Sequence, residues 1–77
     1  MTARPIRIVF LDADTLRPDT VLAPFSFPHV LERHGRTAPQ ETAARIAEAE
    51  VVLVNKVRIG AAEMDAAPNL RLIALAA

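Results

Sequence analysis

Apolar residues come in short bursts separated by polar, proline-bearing stretches. Ile6 to Leu11 is apolar except at Arg7, β-branched at Ile6, Ile8 and Val9, and bounded by Pro5 and Asp12. A near-continuous run of that length predicts a strand buried on both faces. Asp12 to Pro28 carries three prolines and no helical period longer than a turn. It reads as a loop, with a short helix near Asp19–Ala23. His29 to Arg33 reads as a second, shorter strand closed by His34–Gly35. Thr37–Ala38–Pro39–Gln40 is a helix start: Thr37 caps, Gln40 reaches back, and Pro39 sits in the first turn, where its missing N–H costs nothing. Apolar residues then recur at helical spacing, so Gln40–Ala49 reads as an amphipathic helix with a narrow apolar stripe. Glu41 and Arg45 form an i,i+4 pair worth about 0.2–0.5 kcal/mol. Val51–Val54 is the clearest strand, ended by Asn55–Lys56. Ala61 to Ala67 reads as a short helix stopped by Pro68–Asn69, and Leu70 to Leu75 as a last strand.

The order β, loop, β, α, β, α, β implies right-handed crossovers and a mostly parallel sheet. The expected class is α/β, flavodoxin-like, with flanking helices. Two helices cannot cover four strands, and Leu72 to Ala77 is a buried-type strand with nothing after it. The expectation is an incomplete domain. In an open parallel sheet, ligands bind outside the carboxyl ends of the strands, where the strand order reverses. Those ends carry Asp12–Thr15, Asn55–Lys56 and Ala76–Ala77. A flavodoxin-like order puts Asp14 and Asn55 on one rim.

Composition narrows the function classes. The 77 residues are 52% apolar and 23% charged, which is globular rather than disordered. Nine Lys+Arg balance nine Asp+Glu, so nothing in the charge points to nucleic acid or to an anionic membrane. Cysteine is absent, which removes disulfides, thiolate metal sites and thiol nucleophiles, and makes the cytoplasm the expected compartment. The longest strongly apolar run, Leu72–Ala77, is too short to cross a bilayer, and no signal-peptide core follows Met1–Pro5. With three Phe as the only aromatics, the core must be built from Ile, Val, Leu and Ala, and a chain this short is marginal alone.

Candidate chemistry is sparse. Asp12 and Asp14 form a D-x-D at a strand end, resembling the nucleophile motif of haloacid-dehalogenase phosphatases, where both carboxylates serve Mg²⁺ chemistry. That motif wants Thr or Val at position 16, which is Leu16, and a Ser or Thr after the next strand, where Asn55–Lys56 stand. The competing reading is that both aspartates begin a turn or cap, which short Asx side chains do well. A response-regulator receiver would need an Asp at position 55. Asn55 and Lys56 could hold a carboxylate through amide, backbone N–H or ammonium; ordinary loop polarity explains them equally. His29 and His34 have no acidic partner at a telling distance. With Gly35 and Gly60 the only glycines, neither G-x-G-x-x-G nor a P-loop can be built.

The stretches IVFLDADTL, RTAPQETAARIAEAEVVLVNKVRI and MDAAPNLRLIALAA, with R-T-x-P, V-x-N-K and A-P-N-L-x-x-I in order, resemble the amino-terminal part of D-isomer-specific 2-hydroxyacid dehydrogenases. The nearest branch is glycerate dehydrogenase / hydroxypyruvate reductase. The resemblance covers nearly the whole chain, and is weakest between Arg17 and Glu32. It implies that residues 1–77 are a partial, flavodoxin-like substrate-binding domain, with the NAD-binding Rossmann domain outside this chain. It places Asn55, Lys56 and Ala77 on the rim of the substrate cleft. The next substrate-contacting element of the family, a Gly-containing loop, would begin just after Ala77. No catalytic residue and no cofactor-binding residue of the family maps onto this chain, and neither His29 nor His34 matches the family's catalytic His. The complete enzyme would use NAD or NADP, act on a small 2-hydroxy or 2-oxo acid (hydroxypyruvate or glyoxylate reduction, or D-glycerate oxidation), and form a homodimer. The chain alone would bind no cofactor and would be inactive. The alternatives are a small α/β interaction module that self-associates through its last strand, and a phosphatase-like fragment using Asp12 and Asp14.

Overall fold

The computed structural model describes residues 5–15 and 28–75. They form β1 (Ile6–Phe10), a 3-10 turn (Ala13–Thr15), β2 (His29–Arg33), α1 (Pro39–Ile46), β3 (Val51–Val54), α2 (Ala61–Asp65) and β4 (Leu72–Leu75). The four strands make one sheet in the order β2-β1-β3-β4, and every neighbouring pair is parallel. The expected α/β class, the flavodoxin-like arrangement and all four strands are therefore present. The short helix expected near Asp19–Ala23 lies outside the described residues.

Several boundaries differ, each for a local reason. β1 ends one residue before Leu11, which leaves the ladder with β2 yet still donates its N–H to Leu53 O (3.1 Å) and is fully buried. α1 starts at Pro39 and stops at Ile46, three residues short of Ala49; Ala49 folds back, donating to Ile46 O (2.9 Å), and packs into the core. α2 stops at Asp65, two residues short of Ala67, in a turn where Ala67 N–H bonds Met64 O and Leu70 N–H bonds Ala67 O (both 3.1 Å). That turn delays β4 to Leu72. The helix cap is also corrected. Ala38 is the N-cap of α1, and Glu41, not Gln40, reaches back to the Ala38 N–H (2.9 Å). Thr37 is not the cap because its hydroxyl is engaged elsewhere. The Glu41–Arg45 pair forms as expected (3.1 Å).

The chain passes from β2 over β1 to β3, then on to β4, stepping the same way across the sheet. Right-handed crossovers then put both helices on one face. The core agrees: Ile46, Ala49 and Ala67 pack with Val9, Leu11, Val52 and Val54, and Val57, Ile59 and Leu70 close its edge. Strand alternation turns Ile8 and Phe10 to the other face, where they too are fully buried. β1 is thus covered on both sides, as its run of apolar residues predicts. Each large buried side chain contributes about 1.5–3 kcal/mol of apolar burial. The outer strand β4 differs: Leu72, Ile73 and Leu75 are all exposed.

Candidate functional site

β1 leads out to β2 on one side, and the chain then returns to β3 on the other. The carboxyl ends of β1 and β3 therefore flank the point where strand order reverses, where parallel sheets place ligands.

Two residues past β1, Asp12 is 3% exposed. A buried carboxylate is tolerated only when fully hydrogen-bonded. Asp12 Oδ1 accepts the N–H of Asn55 (2.8 Å), and Oδ2 accepts those of Lys56 (2.5 Å) and Val57 (3.1 Å). Three successive backbone N–H groups form an anion-binding concavity of the kind that elsewhere takes phosphate. Here the chain's own carboxylate fills it. Thr15 completes the knot: its N–H and hydroxyl both donate to Asp12 O (3.0 and 2.6 Å), and its oxygen accepts from Asn55 Nδ2 (2.9 Å).

The same exit from β1 also holds the segment after β2. Ala13 N–H bonds His34 O (2.9 Å), and Asp14 N–H bonds Gly35 O (3.1 Å). A Cβ on Gly35 would stand 2.5–2.8 Å from the exposed Asp14 carboxylate, which would have to swing aside. Thr37 Oγ1 donates to Leu11 O (2.6 Å) and accepts from Arg45 Nη1 (2.7 Å). Arg45 Nη1 also donates to Arg36 O (2.6 Å), and its Nη2 reaches Glu41 Oε2 (3.1 Å). One guanidinium on α1 thus holds the segment that carries Arg36.

Between the two tethered segments lies a cleft of about 480 Å³. Arg36, Lys56 and Arg58 line it, with Pro39 and Val57 as apolar wall and Glu63 at the α2 side. Among the described residues, the side chains of Arg36, Lys56 and Arg58 make no hydrogen bond or ion pair. The Asp12 carboxylate is consumed by backbone N–H groups, and Glu63 Oε1 lies 3.4 Å from the Gly60 N–H. Three uncommitted cations face two carboxylates already in use, which suits a small anion.

Lys56 lines this cleft. Asn55 is on the same rim, but its side chain turns to Thr15 and braces the loop. Ala77 lies outside the described residues. Asp14 shares the rim and is exposed, while Asp12 opens the 3-10 turn only through its main-chain carbonyl, which accepts the Thr15 N–H; its carboxylate, which a turn or cap would use locally, is held instead by Asn55, Lys56 and Val57. Among the described residues no three His, Cys, Asp or Glu side chains gather as a metal site. His34 does have an acidic neighbour, Glu32, at 2.7 Å; the alternation of a strand end running into a bend placed two residues of spacing on one side. Sequence reasoning missed Arg36, Arg58 and Glu63. The signal for Arg36 was present in R-T-x-P, at the carboxyl end of β2, but it was absorbed by the helix start.

No family model matches the chain. Over 72 residues it is 38% identical to a glycerate dehydrogenase of Methylorubrum extorquens, a match covering 92% of this chain and 22% of that protein. It is 29% identical over 72 residues to a protein of Haemophilus influenzae provisionally named 2-hydroxyacid dehydrogenase, covering 94% of this chain and 23% of that one. The chain therefore spans less than a quarter of the length of these curated relatives.

Proposed function

We propose that this chain, whose sequence is consistent with a segment of the 2-hydroxyacid dehydrogenase family, supplies one wall of the substrate cleft of an NAD(P)-dependent oxidoreductase. The substrate is a small 2-hydroxy or 2-oxo acid, and the reaction is hydroxypyruvate or glyoxylate reduction, or D-glycerate oxidation. One observation carries the reading: Arg36, Lys56 and Arg58 stand uncommitted around a cleft at the switch point of the sheet. A carboxylate there gains charge-assisted hydrogen bonds, which are shorter and roughly twice as strong as neutral ones. Binding and orientation are the whole of the role assigned to these residues. NAD(P), where bound, supplies the hydride chemistry. Two isolated glycines cannot form the turn that cradles its pyrophosphate, so no step through the cofactor is assigned to this chain. A cytoplasmic location belongs to the proposal and rests on the cysteine-free composition. Among the described residues no helix is long and apolar enough to cross a membrane.

The test is an amide-resolved NMR titration of the full 77-residue chain with D-glycerate, and with glycerol as the uncharged control. The expected outcome is saturable shifts at Arg36, Lys56, Val57 and Arg58 with the acid alone, and no turnover with NAD(P). Equal responses to acid and alcohol, or shifts confined to other residues, would remove the proposal.

A second reading rests on a different observation, the exposure of Leu72 (56%), Ile73 (37%) and Leu75 (77%) on the outer strand. Exposed apolar edges associate. This reading makes the chain an interaction module, and concentration-dependent mass in light scattering is its expected signature. A monomer at all concentrations would count against it.

A further inference from the structure

We infer that Asp12 is a positioning residue for the anion-binding cleft: its buried carboxylate, bonded to three successive backbone N–H groups, sets the loop from which Lys56 and Arg58 project. The inference rests on the cleft binding a carboxylate, as proposed above, and adds a residue that never touches that ligand.

The argument is geometric. Lys56 is the second residue past β3, where the ladder no longer fixes the backbone. Its own N–H and that of Val57 both end on Asp12 Oδ2, while the N–H of Asn55 ends on Oδ1. The peptide groups on both sides of the Lys56 Cα are therefore anchored to one rigid carboxylate. That carboxylate belongs to a turn locked by Thr15 and zipped to the segment after β2. A flexible lysine still moves, but from a fixed root. Arg58 follows one residue beyond the last anchored N–H, so its root is set as well. The same carboxylate ties the Lys56 side of the cleft to the strand whose exit holds the Arg36 side, through Ala13, Asp14 and Leu11. Asp12 thereby fixes the width across which the cations face one another. Asn at this position has one acceptor oxygen and an NH₂ that confronts backbone donors, so it cannot hold the loop the same way.

The sign of one measurement separates positioning from simple charge. Asp12 is anionic and borders a cleft proposed to take an anion. If charge were its only influence, Asp12→Asn would tighten anion binding. If Asp12 positions the cations, Asp12→Asn weakens it. The probe is D-glycerate titrated into the full chain, followed by NMR, with amide hydrogen exchange read at Asn55, Lys56 and Val57. The expected results are at least about tenfold weaker binding in Asp12→Asn, together with faster exchange at those three amides. Lys56→Ala, which removes a cation and leaves the loop bonded, is expected to weaken binding without changing the exchange. Thr15→Val is the second probe should Asp12→Asn not fold. It keeps every charge, cuts only the Asn55 side-chain brace and the Thr15 hydroxyl bond, and is expected to weaken binding about threefold. Binding that Lys56→Ala weakens but Asp12→Asn leaves unchanged or tightens overturns the positioning role and leaves the proposed function standing. If Asp12→Asn does not fold, unchanged binding in Thr15→Val overturns it. No saturable binding by the unaltered chain overturns both.

Discussion

β1 (Ile, Arg, Ile, Val, Phe) and β4 (Leu, Ile, Ala, Leu) are both mostly apolar and have opposite surroundings. Along β1, Ile8, Val9 and Phe10 are no more than 5% exposed; along β4, Leu72 is 56% and Leu75 77% exposed. β1 has β2 and β3 as neighbours, whereas among the described residues β4 pairs with β3 alone. The difference teaches that apolar composition sets what a strand can bury, and strand order sets what it does bury. It also explains where the site sits. A strand held on both edges can carry functional groups on its exit without moving, and the exit of β1 anchors both walls of the cleft.

The comparison can be broken first at the centre. Phe10→Ala is expected to cost about 3–5 kcal/mol, the range for emptying a packed aromatic site, and a urea titration followed by circular dichroism reads it directly. A loss under 1 kcal/mol would mean that β1 is not the strand that holds the fold. Next comes the exit of β1. Asp12→Ala strands three N–H groups of one loop and is expected to cost about 3 kcal/mol, because buried groups left without partners are penalised in full. Thr37→Val removes the hydroxyl that joins Leu11 O to Arg45 and is expected to cost about 1–2 kcal/mol. Arg45 exchange cross-peaks should broaden in the same variant as its guanidinium loses one of its two tethers to that segment. The smallest effect belongs to β4. Leu75→Lys is expected to change stability by less than about 0.5 kcal/mol, while lowering any self-association seen by light scattering. A large loss at Leu75 would erase the contrast between the two strands.

Much of the fold is legible in the residues. The β-branched run at Ile6–Leu11, the Val51–Val54 run and the Pro39 helix start each specify their element by short-range rules, and all are found within a few residues of where those rules put them. Misplaced ends are those settled by other contacts. Thr37 has the chemistry of a cap, yet its hydroxyl lies against Leu11 O, 26 positions away, and Glu41 serves the cap instead. Within the site, Lys56 is legible because it follows an obvious strand. Arg36 and Arg58 are not, since nothing local distinguishes a cation on a cleft from one on open surface. Asp12 invites a metal or phosphoryl reading by its D-x-D spacing, and only its partners 43 to 45 residues on give it another use.

From the sequence alone follow the α/β class, the four strands, the two helices and the resemblance to the 2-hydroxyacid dehydrogenases, because periodicity, caps and turn residues act between neighbours in the chain. The burial of β1 against the exposure of β4, and the meeting of Arg36, Lys56 and Arg58 around one cleft, were decided by tertiary structure. Each of these depends on which distant segments share the carboxyl end of the sheet, and a buried carboxylate takes its role from the donors that surround it.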